Sequence, residues 1–135
     1  MRVEMNNIPI HDRTVKHLFN QTVRKKADKV FIRGPDGELT YHEFNAATNA
    51  LANNLSQLGL KKGCKLGIMA HNSFAFVHSW IAAAKLGAIY VPINNDYKGD
   101  ILQYQMNKAE ITHLVVDNSL SGRVYALSLI HISEP

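Results

Sequence analysis

The chain has 135 residues, enough for one ordinary domain with a core of its own, and its 46% hydrophobic and 19% charged content excludes a disordered polymer. The net charge of +4 comes from scattered positives; the clusters Arg24-Lys25-Lys26 and Lys61-Lys62-Lys65 carry no interleaved aromatics, so no nucleic-acid-binding surface is expected. Cys64, the single cysteine, can form no internal disulfide, which fits a reducing cytoplasm, and neither a signal peptide at MRVEMNNIPIHD nor a transmembrane segment is expected, because the apolar stretch Phe74 to Ile93 is broken by His78, Lys85, Gly87 and Pro92.

Val15, Leu18, Phe19 and Val23 recur at helical spacing behind Thr14, a good N-cap, and predict a first helix ending near Ala27. Lys29–Arg33 and Glu38–Thr40 flank Gly34-Pro35-Asp36-Gly37, which predicts a short hairpin. Thr40-Tyr41-His42-Glu43 is a capping box: the Thr40 hydroxyl accepts the Glu43 amide, and the Glu43 carboxylate reaches back to the Thr40 amide. The helix behind it places Phe44, Ala47, Leu51, Leu55 and Leu58 on one face and stops at Gly59. Lys62-Gly63 turns into an apolar strand over Lys65–Ala70, and His71-Asn72-Ser73 follows as a capping loop. Phe74–Leu86 is apolar almost all round, which predicts a deeply buried helix closed by Gly87. Ile89-Tyr90-Val91 is expected to be a central strand whose ladder ends at Pro92, since proline has no N–H to give. Ile101, Leu102, Met106 and Ala109 line one face of a further helix, and Thr112–Val116 forms the next strand. Strand and helix alternate from Thr40 onward, which predicts an α/β fold: a parallel sheet with right-handed crossovers and helices on its faces.

Candidate chemistry is sparse. His71 and His78 stand seven positions apart, but His71 precedes the helix and no carboxylate completes a ligand set. Ordinary polar side chains are the better reading there than a metal pair or a catalytic base, and His113, in a strand beside Leu114, reads the same way. Ser73 lacks the G-x-S-x-G context of a nucleophile and reads as an N-cap. Cys64 opens an apolar strand and reads as a core or turn residue rather than a reactive thiol. Gly34 to Gly37 is too short for a phosphate loop and carries no Lys, Ser or Thr; there is no P-loop, no G-x-G-x-x-G after a strand and no cysteine set for zinc. No catalytic residue and no metal ligand is assigned. Ligands on open α/β sheets gather past the carboxyl ends of the strands, and two such loops stand out, His71-Asn72-Ser73 and Asn94-Asn95-Asp96-Tyr97.

Lys85-Leu86-Gly87-Ala88-Ile89-Tyr90-Val91-Pro92-Ile93-Asn94 resembles the K-x-G-A-x-x-V-P-I/L-N/D segment of the AMP-forming adenylating enzymes, and Leu39, Thr40, Tyr41, Glu43 and Phe44 match that family's L-T-Y-x-E-L/F segment. The resemblance spans Thr14 to Asn118 and implies the truncated N-terminal portion of an adenylate-forming enzyme domain. It implies a parent enzyme in which a carboxylate attacks the α-phosphate of ATP, releasing pyrophosphate, before a thiol takes the acyl group. The implied cofactors of the parent are ATP, Mg2+ and coenzyme A, and its partner is a small carboxylic acid or acyl substrate. The family's phosphate loop, of the type S/T-S/G-G-S/T-T-G-x-P-K, has no counterpart here, nor do its acidic ribose and magnesium residues or its adenylating lysine. The fragment itself is therefore expected to be inactive and to hold none of these cofactors strongly.

Pro92-Ile93-Asn94 followed by Tyr97-Lys98-Gly99-Asp100 and Leu102 is similar to V-P-I-N-x-x-Y-K-G-x-x-L of acyl-CoA ligases of the carnitine/crotonobetaine or fatty-acid type. In family members that use coenzyme A the loop after this motif lies near the nucleotide end, which makes Asn94 the one candidate binding residue; a plain helix-capping role for the loop stays open. Leu127 to Pro135, LSLIHISEP, fits nothing upstream and resembles the translation of a transposase adapter used in sequencing libraries. The expected division is residues 1–126 as a partial AMP-binding-enzyme domain and 127–135 as a non-native tail. Two alternatives stay open: a stand-alone α/β nucleotide- or protein-binding module without catalysis, and a fragment with no function of its own.

Overall fold

The computed structural model describes residues 7–127. A 3-10 turn at Ile10–Asp12 leads into α1 (Val15–Lys26), where the Thr14 hydroxyl accepts the His17 amide at 3.1 Å. β1 (Val30–Gly34) and β2 (Gly37–Thr40) pair antiparallel, with Gly34 opposite Gly37 and a register shift between Val30 and Ile32. The capping box forms in full: the Thr40 and Glu43 amides are each taken by the other residue's side chain at 3.1 Å, and α2 (Tyr41–Gln57) starts there.

The alternation predicted beyond Thr40 follows as β3 (Lys65–Met69), α3 (Phe74–Leu86), β4 (Ile89–Pro92), α4 (Gly99–Lys108), β5 (His113–Val116) and α5 (Ser121–Tyr125). Among the described residues β4, β3 and β5 form a parallel three-stranded sheet in the order β4-β3-β5. Side chains alternate across β3, so its two faces build two cores. Leu66 joins Ala52 and Leu55 of α2 and Ala82 and Ala83 of α3; Met69, on the opposite face, joins Ile93, Leu102, Met106, Leu120 and Val124. A third cluster of Phe19, Phe44 and Ile81 fastens α1 and the hairpin to α2 and α3, with the Phe31 ring 5.5 Å from Phe19 and 4.7 Å from Phe44.

Four expectations need correction. Among the described residues β4 is an edge strand rather than the central one, and Ile89 is 48% exposed. Pro92 does not end the ladder, because the Ile89 and Ile93 amides donate to the Cys64 and Ile68 carbonyls at 2.8 Å each. By alternation the Pro92 nitrogen faces away from β3, the side on which a missing N–H costs no bond of this sheet. The buried stripe of α2 is Phe44, Thr48, Ala52 and Leu55, whereas Ala47 and Leu58 are exposed. Thr48 takes an inward position because its hydroxyl is satisfied there, donating to the Phe44 carbonyl at 2.8 Å and meeting His78 Nδ1 at 2.9 Å. α3 is buried along Ser79, Ile81, Ala82 and Ala83 only, and Trp80 is 44% exposed.

The short turn Asn118–Leu120 and α5, which no periodicity announced, add Leu120 and Val124 to the second core. Leu127, the first residue of the expected tail, packs against that same core; the remainder, 128–135, lies outside the described residues. Among the described residues no helix is long and apolar enough to cross a membrane.

Candidate functional site

The three parallel strands point one way, so their carboxyl ends share one edge, where open α/β sheets take their ligands. Loops after β3, β4 and β5 leave this edge side by side. The Asp117 amide donates to the Met69 carbonyl at 2.9 Å, which carries the β3–β5 pairing to the rim.

Asn94 is exposed and shapes its own turn: its Oδ1 accepts the Asp96 amide at 2.9 Å and its carbonyl accepts the Tyr97 amide at 3.1 Å. Asn95 turns the other way. Its Nδ2 donates to the Ala70 carbonyl at 2.9 Å, and its own carbonyl accepts the Arg123 guanidinium from α5. Its Oδ1 is buried and meets no donor among the described residues. On the far side of β3, Asp117 Oδ1 accepts the amide and the hydroxyl of Ser119 at 3.2 Å each. The Ser119 amide is the main cause that holds the Asp117 carboxyl below its usual range; desolvation opposes it, and the Ser119 hydroxyl adds to the lowering. The bond that ties the start of the loop after β5 to the end of β3 is the one from the Asp117 amide to the Met69 carbonyl.

The histidines are separated. His71 is exposed at the carboxyl edge, whereas His78 turns into the α2–α3 interface. There it stacks on Phe44 with ring centroids 4.3 Å apart, and burial lowers its pKa. His113 Nε2 donates to the Leu58 carbonyl at 2.8 Å, and its Nδ1 lies 2.9 Å from the Thr112 hydroxyl. Ser73 accepts the Phe76 amide at 3.3 Å as the N-cap of α3. Cys64 is half-buried against the first core. Of the residues that organise the edge, Asp117 carries a readable signal as an N-cap before Asn118-Ser119, whereas nothing in the sequence separates Asn95 from the asparagine before it.

Among the described residues no three His, Cys, Asp or Glu side chains converge. A cleft of about 320 Å³ runs along α1, lined by Lys16, His17, Asn20 and Arg24. None of the strand-end loops contributes to it.

Residues 19–132 match the AMP-binding enzyme family. The chain belongs to that family. Gramicidin S synthase 1 of Brevibacillus brevis is 32% identical over 122 residues, which cover 84% of this chain and 11% of that protein. Phosphinothricin tripeptide synthetase PhsC of Streptomyces viridochromogenes is 29% identical over 115 residues, 85% of this chain and 11% of that one. The chain therefore spans about a tenth of the length of these curated relatives. Among solved structures, the anthranilate CoA ligase AuaEII in complex with anthranoyl-AMP superposes with a TM-score of 0.82 at 23% identity, over 92% of this chain and 24% of that one. A fatty acyl CoA synthetase of Mycobacterium tuberculosis gives a TM-score of 0.77 at 22% identity, over 85% of this chain and 24% of that one. These likenesses establish the fold: a parallel sheet with helices on both faces, as in the leading part of AMP-binding enzymes.

Proposed function

We propose that the chain is the leading portion of an AMP-forming acid–thiol ligase. One observation carries the reading: residues 19–132 match AMP-binding enzymes, and they do so on a parallel sheet whose strand-end loops meet at one edge. In the proposed reaction a carboxylate oxygen attacks the α-phosphorus of ATP and pyrophosphate leaves, forming an acyl-adenylate. A thiol sulfur then attacks the acyl carbon, the acyl–oxygen bond breaks, AMP leaves, and the thiol proton passes to solvent. The contribution of this chain is architectural. It builds the edge and sets the loops there, and no catalytic residue is assigned to it.

The finer reading is that the thiol is coenzyme A, that the acid is of the carnitine/crotonobetaine or fatty-acid type, and that Asn94 meets the nucleotide end of coenzyme A. The run Pro92-Ile93-Asn94 with Tyr97-Lys98-Gly99 supports it, as does the exposure of Asn94 at the carboxyl edge. A second reading, favoured by the 32% identity to gramicidin S synthase 1, is adenylation of an amino acid for peptide synthesis. The intact ligase, supplied with ATP, Mg2+ and coenzyme A, separates the two. Octanoate or crotonobetaine is expected to yield acyl-CoA and AMP. Adenylation of amino acids alone, with no coenzyme A product, overturns the finer reading in favour of the second. The working location proposed for the enzyme is the cytoplasm.

The division at 126/127, with an adapter-derived stretch over 127–135, stands as a proposal beside these. The family match runs to residue 132 and so enters that stretch. An independent read of the source DNA tests it: codons unrelated to the adapter across Leu127 to Pro135 contradict it.

A further inference from the structure

We propose that Asn95 is a positioning residue of the coenzyme A site: it locks the β4–α4 loop to the end of β3 and so fixes where Asn94 stands. The inference rests on the coenzyme A reading of Asn94. Its side chain crosses from one strand-end loop to the next, donating to the carbonyl of buried Ala70, the residue directly before His71-Asn72-Ser73. Its main chain is held from the opposite direction by Arg123 of α5. One residue therefore ties the loop after β4 both to β3 and to the helix beyond β5. Asn94, by contrast, has among the described residues only a local turn, through Asp96 and Tyr97, to hold its direction.

The Asn95 Oδ1 atom makes a mere packing role a poor account. It is buried without a donor among the described residues, which an apolar side chain of similar size would avoid. What the amide does at that position it does through Nδ2, which holds the Ala70 carbonyl. A loop pinned at Asn95 presents Asn94 in one place, and a misplacement of about 1 Å is enough to lose a contact made at its neighbour.

The test compares coenzyme A with pantetheine, which offers the same thiol without the nucleotide, as acceptors for the intact ligase with octanoate as acid. Asn95→Ala is expected to raise KM for coenzyme A about 10-fold and to leave KM for pantetheine within about twofold. Asn95→Ser, whose hydroxyl ends about one bond short of the Nδ2 position, is expected to recover little of the loss. Asn95→Asp keeps the shape but replaces the donor with an oxygen; it is expected to repeat the loss, and it carries the test should the alanine variant fail to fold. The pair Asn94→Ala with Asn95→Ala is expected to be no worse than Asn94→Ala alone. Equal changes for both thiols, no change for either, or multiplying effects in the pair overturn the proposal. An Asn94→Ala variant that shifts KM for coenzyme A while the Asn95 variants do not leaves the site standing and removes the positioning role. An Asn94→Ala variant without effect removes both.

Discussion

Gly67 lies in the middle of β3, where a side chain would have to push its neighbours aside: a Cβ there would stand 2.8 Å from Ile111 Cδ1 and 3.1 Å from Leu114 Cδ1. A strand glycine of this kind marks a close approach rather than a turn. Gly67→Ala is expected to destabilise the chain by about 1–2 kcal/mol and Gly67→Val by about 3 kcal/mol, read as a falling urea midpoint at constant slope. An unchanged midpoint for the valine variant contradicts that packing. His78 makes the second prediction at this scale. Because Thr48 donates to the Phe44 carbonyl, it accepts from His78 Nδ1–H, which fixes a neutral tautomer with Nε2 free to take the next proton. Burial lowers the His78 pKa from 6.5, so on acidification the unfolded chain takes up this proton before the folded one. Stability is full above pH 6.5 and declines as pH falls from there through the lower folded value. His78→Gln is expected to flatten that part of the pH–stability curve; identical slopes contradict it. The caps Thr14 and Ser73 and the box at Thr40 were readable because each device closes within three residues. Thr48 was not, because the partner that makes it an inward residue lies 30 positions away.

The helices are joined by a contact that no single-helix pattern shows. Lys85, near the end of α3, donates to the side-chain carbonyls of Asn45 and Asn49 on α2 and lies 5.5 Å from the centre of the Phe19 ring on α1. Its stem and head therefore bind three elements, beside the aromatic cluster that anchors α1. Lys85→Met keeps most of the stem and loses the head. A cost of about 1–2 kcal/mol is expected, with faster amide exchange in α1 than in β3. Uniform exchange and an unchanged midpoint contradict the clamp. Element types were legible because period and caps are local, but strand order was not. Ile89-Tyr90-Val91 has the composition of a buried strand, yet its place depends on Cys64 and Ile68, the residues that accept its hydrogen bonds. The burial of α3 was overstated for a related reason. A helix with almost no polar side contains no sign of which residues face out, and Trp80 ended up on that side.

At the scale of the molecule, membership of the AMP-binding enzymes was legible from two short segments, Leu39 to Phe44 and Lys85 to Asn94. Their roles in this chain are structural: the first starts α2 through its capping box, and the second closes α3, clamps it to α2 through Lys85 and forms β4. Segments that hold the fold together identify a family but do not report its substrate, so the choice between coenzyme A ligase and peptide synthetase was not readable from them. The edge site was legible only as a place. Asn94 could be named from its motif, whereas Asn95, Asp117 and Arg123 acquire meaning only when β4, β3 and β5 lie side by side. The central claim, that this chain begins an AMP-forming ligase, is tested most directly by carboxylate-dependent exchange of labelled pyrophosphate into ATP by the intact protein. The account predicts exchange that needs an added carboxylic acid and AMP as the nucleotide product of turnover. No exchange with fatty, quaternary-ammonium or amino acids, or turnover that yields ADP, would contradict it.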